Sequence, residues 1–159
     1  MKRRMLLAFS VCFALVVASC SKETVSVTEV PQAENRVALE GELLSLVNNF
    51  RTTSGMEPLT FSAVAYQYAN THTDYMIASG NLSHDNFTSR ASQISQQTNA
   101  KAVAENVAKD YPSAEMALQG WIDSPSHRST MEGNFSHTAI SVKEAPDGTL
   151  YYTQIFFLE

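Results

Sequence analysis

Between Trp121 and Thr138 the apolar period of the chain changes, and that change limits what it can fold into. Upstream, apolar residues recur at helical spacing; downstream they alternate as in a strand. Ser124-Pro125 marks the boundary, because the residue before a proline is pushed out of the α region. Thr138 to Lys143 and Thr149 to Leu158 are rich in Ile, Val, Tyr, Thr and Phe and are predicted to be strands. Ala145-Pro-Asp-Gly148 joins them as a hairpin: proline sets one dihedral and glycine accepts the positive one. Helices first and an antiparallel hairpin last define an α+β domain, with no internal repeat.

Four helices are expected before the break. Leu39, Leu43, Leu46, Val47 and Phe50 give the first, from Arg36 to Thr53, stopped by Ser54-Gly55. Ser62 caps the second, whose inner face carries Ala65, Tyr68, Ala69, His72 and Met76, and Gly80 closes it. A weaker third covers Thr88 to Gln97, with the Ser/Gln-rich Ser92 to Thr98 fading into loop. Ala102 to Ala108 is small and mildly apolar, interrupted by Glu105-Asn106. Ser113 then caps a fourth, with Ala114, Ala117, Leu118 and Trp121 on one stripe.

The first twenty residues are set apart from this domain. Lys2, Arg3 and Arg4 precede an apolar run from Met5 to Val17, well short of the roughly 20 residues of a membrane span. Val17-Ala18-Ser19-Cys20 ends it with small residues, as a secretory signal does. The cysteine directly after them resembles a bacterial lipobox, in which the cysteine is diacylated and becomes the new N-terminus. The expectation is a signal peptide at 1–19, a lipidated Cys20 with a disordered tether at 20–35, and a domain at 36–159. A lipid on Cys20 makes a membrane the first partner, the domain facing the periplasm or the cell exterior.

Without the signal, eight Lys and Arg stand against sixteen Asp and Glu. That balance argues against nucleic acid or an anionic membrane surface as a partner. Cys12 falls inside the signal, so the exported chain has no cysteine pair, and stability must come from core packing.

Three residues stand out for chemistry. His84, in Leu82-Ser-His-Asp85, follows Gly80 in a short polar loop, where it either shapes the loop or serves a site. Glu105 interrupts a small, apolar run: it is a solvated loop charge or a partly buried acid, and taken alone the first reading is favoured. His127, followed by Arg128, lies just past the proline break, either turned toward a cleft or facing water on a short helix capped by Ser124 or Ser126. Asp123, Ser126 and His127 could suggest a hydrolase triad, but sequence neighbours rarely meet in triad geometry and no nucleophile elbow is present. Two histidines and a carboxylate suit zinc, although no His-Glu-x-x-His helix holds them. His72 reads as a hydrogen-bonded core residue and His137 as an exposed strand start. Tyr151, Tyr152, Phe156 and Phe157 read as sheet core and sheet edge.

Together, Leu82-Ser-His-Asp85, Ala104-Glu-Asn106, Trp121-Ile-Asp-Ser-Pro-Ser-His-Arg128 and Tyr151-Tyr-Thr-Gln-Ile-Phe156 occur in that order. The chain resembles the bacterial branch of the CAP (SCP-like) domain family, the superfamily of cysteine-rich secretory and pathogenesis-related proteins, over about Arg36 to Glu159. Val47-Asn-Asn-Phe-Arg51, with Pro58-Leu59 following, is similar to the family's first helix and its exit. The resemblance implies a three-layer α-β-α sandwich with a central antiparallel sheet and a shallow cavity. It places His84 and Glu105 at the family's cavity histidine and acid, and His127 at the bacterial-type histidine. Zinc or another divalent ion at these three is implied by the same resemblance. Tyr151 stands where the eukaryotic branch has a second cavity histidine, and Ser124 where it has a second glutamate. Ala104 replaces the glycine usual before Glu-Asn, and Thr130 the asparagine usual after His-Arg. The resemblance implies a cell-envelope binding module whose cavity takes a lipid-like ligand or a protein partner. The alternatives are a metal-dependent, protease-like hydrolase with Glu105 as general base, and a structural envelope scaffold.

Overall fold

The structure, a computed structural model, describes residues 33–159. The expected signal at 1–19, the lipidated Cys20 and the tether up to residue 32 lie outside the described residues.

Among the described residues nine elements follow in order. Helix α1 is Val37–Thr53, strand β1 Thr60–Phe61, helix α2 Ala63–Ser79 and helix α3 Phe87–Thr98. Strand β2 is Ala102–Lys109, helix α4 Ala114–Asp123, helix α5 Pro125–Met131, and strands β3 His137–Glu144 and β4 Leu150–Leu158 close the chain. The sheet order is β1-β3-β4-β2, antiparallel except for the short parallel β1–β3 pair. The sequence signals for α2 and α4 operate as read. Ser62 and Ser113 accept hydrogen bonds from the amides of Ala65 and Met116, and Gly80 takes a positive φ of 69° after α2. The hairpin turns at Gly148, whose φ is +87°.

Alternation along the strands divides the core into two layers. Ile140, Val142, Tyr152 and Phe156 face α1 and α4, packing on Leu43, Val47, Ala114, Ala117 and Trp121. Ala139, Ile155 and Phe157 face the other way, onto Ala65 and Ala69 of α2 and Ile94 of α3. The sheet therefore lies between α1, α4 and α5 on one side and α2 and α3 on the other. This is the expected sandwich.

Four expectations need correction. Residues 92–98 continue α3 to Thr98, because Ile94 buries against the sheet and anchors the Ser/Gln-rich turns that local composition left weak. Ala102 to Lys109 is a strand, so Glu105 and Asn106 sit mid-strand, not in an interruption of a small-residue run. The expected tether ends before Asn35, which bridges to Lys143 in the sheet and donates to the carboxylate of Glu40. Glu40 itself accepts the Val142 amide at 2.9 Å, and Arg36 donates its amide to the Val142 carbonyl. Together they cover the stretch of β3 that the two-residue β1 leaves open, as an exposed strand edge requires. Finally, His137 is half-buried, its ring stacked 4.8 Å from that of Phe157.

Arg51 shows how the resembling Val47-Asn-Asn-Phe-Arg51 segment works. Its guanidinium is buried and donates to the carbonyls of Glu57, Met131 and Gly133, tying the α1 exit to the segment between α5 and β3. Burial pushes its pKa down, but the carbonyl cage keeps the charge useful. Replacing it (Arg51→Met) leaves those acceptors without donors and is expected to cost about 1–3 kcal/mol. The urea midpoint reads this, and an unchanged midpoint would mean the carbonyls find solvent instead.

Candidate functional site

The site is built around the loop between α2 and α3. His72, late in α2, brings Nε2 to 2.7 Å from the Ser83 carbonyl, and Nε2 must donate because a carbonyl only accepts. From the other side, Arg90 of α3 donates Nη1 to the Asp85 carbonyl at 3.0 Å. These two bonds flank His84 and set its position. Its Nδ1 lies 2.9 Å from Oε1 of Glu105, again as donor to an acceptor-only group.

Glu105 is the centre of the arrangement. Its side chain is about 1% exposed, and Arg90 clamps it in a fork. Nε donates to Oε2 at 2.9 Å, while Nη2 reaches Oε1 at 2.9 Å and Oε2 at 2.7 Å. A planar guanidinium on a carboxylate is among the strongest side-chain pairings available to a protein. His72 Nε2 also stands 3.6 Å from Oε1. Glu105 is thus a buried, fully engaged acid and not a solvated one. Of the two readings of this residue, the buried acid is the one observed.

Edge-strand geometry explains how the expected residues are distributed. Glu105 and Asn106 are neighbours on β2, the edge strand, so they point to opposite faces. Glu105 faces α2 and α3. Asn106 faces α4 and α5, where its Nδ2 donates to the His127 carbonyl at 3.0 Å. His127 sits on the expected short helix, α5, which Pro125 starts and Ser124 precedes without a side-chain cap bond. Its imidazole is half-buried and close enough to His84 to feel its charge; burial first, then His84, push its pKa down. Among the described residues no hydrogen bond joins the His127 ring to Glu105.

The structure therefore brings His84 and Glu105 together and holds His127 across the strand edge. Among the described residues, neither Ser124 nor Tyr151, the positions that answer to the eukaryotic cavity, hydrogen-bonds through its side chain to His84 or Glu105. Ser124 precedes α5 with its hydroxyl 3.3 Å from that of Ser126. Tyr151 pairs with Lys109 at the far end of the β2–β4 ladder, whereas Glu105 pairs with Ile155. Arg128 points away from the cleft, paired with Glu132 at 2.8 Å.

Arg90 was not among the residues singled out from the sequence. Two signals pointed to it: it is the only Lys or Arg between Arg51 and Lys101, and it shares the inner stripe of α3 with Ile94. Its placement bears on the implied metal. Among the described residues no three His, Cys, Asp or Glu side chains gather into a metal-ligating group. The Arg90 fork also takes acceptor positions on both Glu105 oxygens and supplies the positive charge. As arranged, the donor set does not fit a divalent ion on Glu105.

His72 carries a pH signature. Burial dominates and pushes its pKa below 6.5, while Glu105 pulls the other way and does not prevail. The folded chain then binds fewer protons here than the unfolded chain, so stability is present above the unfolded value and falls as pH drops through it. Between about pH 7.5 and 5.5 the denaturation midpoint should decline, with His127 contributing in the same direction. His72→Gln, which can still donate to Ser83, should flatten that decline; an unchanged slope would assign it to other groups.

Residues 44–156 match the family model described as CAP, the cysteine-rich secretory protein family. The chain belongs to this family. Unlike the family's description, this CAP domain has no cysteine: Cys12 and Cys20 both precede it. Over 121 residues the chain is 25% identical to the uncharacterized membrane protein YlbC of Bacillus subtilis (strain 168), covering 74% of this chain and 34% of that protein. It thus spans about a third of the length of this relative. Among solved structures it resembles an outer surface protein from Borrelia burgdorferi, with TM-score 0.71 at 13% identity, over 80% of this chain and 98% of the other. An extracellular protein containing an SCP domain from Bacillus anthracis str. Ames gives TM-score 0.66 at 22% identity, over 77% and 41% of the two chains. A cysteine-rich secretory protein from Staphylococcus aureus subsp. aureus Mu50 gives TM-score 0.65 at 19% identity, over 82% and 40%. These likenesses concern the fold. No helix among the described residues is long and apolar enough to cross a membrane.

Proposed function

We propose that this CAP domain is an exported, membrane-anchored binding module of the cell envelope rather than a metallohydrolase. The observation that carries the reading is the state of Glu105. A general base must offer a free lone pair to a water or substrate proton. Here Oε1 accepts from Arg90 and His84, and Oε2 accepts twice from Arg90. The carboxylate is occupied in holding the α2–α3 loop against the sheet. What remains presented is the loop itself, with His84 half-exposed and its Nε2 edge turned from Glu105. The basic n-region, the apolar run and Cys20 support export and lipid anchoring, and the extracellular or outer-surface descriptions of the structural neighbours agree with export.

Zinc titration of residues 22–159 tests the reading, comparing wild type with the His84→Ala/His127→Ala double variant. No stoichiometric zinc is expected in either. Tight one-to-one binding lost in the double variant would overturn the reading and restore the metallohydrolase.

One observation favours a lipid-like ligand, at a different place. A largely apolar cavity of about 270 Å³ lies between α1, β1, α2 and β3, lined by Val37, Leu44, Phe61, Tyr66 and Ile140, with the Glu40 carboxylate at its wall accepting the Tyr66 hydroxyl. It is separate from the His84–Glu105 cleft. A fluorescent fatty acid that binds saturably and is lost in Phe61→Ser would place such a ligand there.

A further inference from the structure

The cleft holds a second surface that the family motifs do not touch. Residues Gln67, Thr71 and Tyr75 line one stripe of α2, and Ser89 and Gln93 line the facing stripe of α3. Between them is a groove of about 360 Å³, with His72 and Arg90 among its lining and Asn86 at the loop end. That volume is at the small end of the range for ligand pockets, about 300–1,000 Å³.

The chemistry of this lining is selective. Its one permanent cation, Arg90, is neutralised by the buried Glu105 fork. Burial disfavours the charged form of His72. No carboxylate lines the groove, and Asp85, next to Asn86, accepts the Tyr75 hydroxyl at 2.8 Å. A phosphate, a carboxylate ligand or a nucleic acid would find no free counter-charge. An acyl chain would leave the amides and hydroxyls without partners, which is costly on burial. What the groove offers is uncharged: primary amides on Gln67 and Asn86, the Gln93 amide already donating to Ser89, the Thr71 hydroxyl donating to its own helix and open as an acceptor, the Ser89 hydroxyl, and phenol rings on Tyr68 and Tyr75. The Gln67 and Asn86 amides each carry both donors and an acceptor on one plane, matched to vicinal hydroxyls or an acetamido group. The Tyr75 ring is partly exposed and held parallel to His72, 5.9 Å between centroids, so an aromatic face is fixed at the wall. A peptide is less well served, since no strand edge or deep apolar pocket lines the groove.

We infer that the groove between α2 and α3 is a binding site for a neutral glycan, recognised by planar amides and hydroxyls against a tyrosine wall. This deepens the binding-module reading and rests on it, while using residues other than the His84 edge. Arg90 and His72, which hold the loop, also line this groove.

The test is a heteronuclear NMR titration of residues 22–159 with N-acetylchitotetraose, a neutral glycan carrying hydroxyls and acetamido groups. Saturable shifts at Thr71, Ser89 and Gln93 are expected. Tyr75→Ala and, independently, the groove-filling Ser89→Trp should each weaken binding at least tenfold. Ser89 is exposed, so the second variant keeps the test valid if the first disturbs the His72 stack. Met116→Ser, at an exposed position on α4 in the other layer, should bind as wild type does. Absence of saturable shifts up to about 10 mM, weaker than the affinities useful for recognition, would overturn the inference. So would binding that survives both groove variants. The broader reading is judged separately, by sedimenting the protein with purified envelope. Envelope binding without glycan shifts removes only the groove assignment, and loss of both removes the binding module as well.

Discussion

Glu105→Gln is expected to cost the domain about 3–5 kcal/mol, the usual result of removing one partner of a buried ion pair. The glutamine nearly preserves shape, so the loss is electrostatic: it leaves Arg90, about 9% exposed, without its counter-charge. Arg90→Met should cost a similar amount by stranding the carboxylate instead. The informative variant is the double, Glu105→Leu with Arg90→Met, which removes both charges and should recover most of the loss. Chemical denaturation followed by circular dichroism measures all three. Additive losses would show that each residue acts through separate contacts and that the fork is not the source of the stability. The single variants also bear on function, because the same bonds hold Ser83 to Asp85 in place. A broadened His84 signal in Glu105→Gln, at temperatures where the fold persists, is the expected structural consequence.

Trp121→Ala is expected to cost about 3–5 kcal/mol, with Trp121→Phe losing less. Trp121 is about 1% exposed and lies where α4 meets the sheet, among Leu43, Val47, Ala117 and Phe156. Its Nε1 donates to the Val107 carbonyl at 3.3 Å, fixing α4 to β2 as well as filling the core. Alanine opens a cavity that two packed helices cannot easily close. As Trp121 is the only tryptophan, circular dichroism, not intrinsic fluorescence, must follow unfolding. The two layers should respond differently. His127 rides on α5, directly after α4, and should shift in Trp121→Ala. His84 is held from the α2–α3 side and should keep its contact with Glu105 while the domain remains folded. Loss of both together would mean that the layers do not act independently.

The two predictions mark the division between what sequence and tertiary structure decided. Apolar period, caps and turn residues are local properties, so they fixed α1, α2, α4, the β3–β4 hairpin and the stop at Gly80. They also identified Trp121 as core and His84, Glu105 and His127 as residues to follow. Ordered motifs then named the family and hence the sandwich. Local signals failed where long-range contact set the outcome. The Ser/Gln-rich end of α3 is helical because Ile94 docks on the sheet, and Ala102–Lys109 is a strand because β4 offers it a ladder. Residue 35 is ordered by its bridge to Lys143.

The site divides in the same way. Residue types alone suggested two imidazoles and a carboxylate, but could not say which side of a strand each would face. Period-two alternation on an edge strand sends Glu105 and Asn106 to opposite layers, so His84 and His127 are served from different faces. The charge balance around Glu105 depends on Arg90, fifteen residues away, whose approach is fixed only when α3 packs on β2. The sequence by itself determined α1, α2, α4 and the hairpin, and pointed to His84, Glu105 and His127. Only the packed structure decided that the buried acid is answered by an arginine, because the energy of a buried charge depends on what stands within a few ångströms of it.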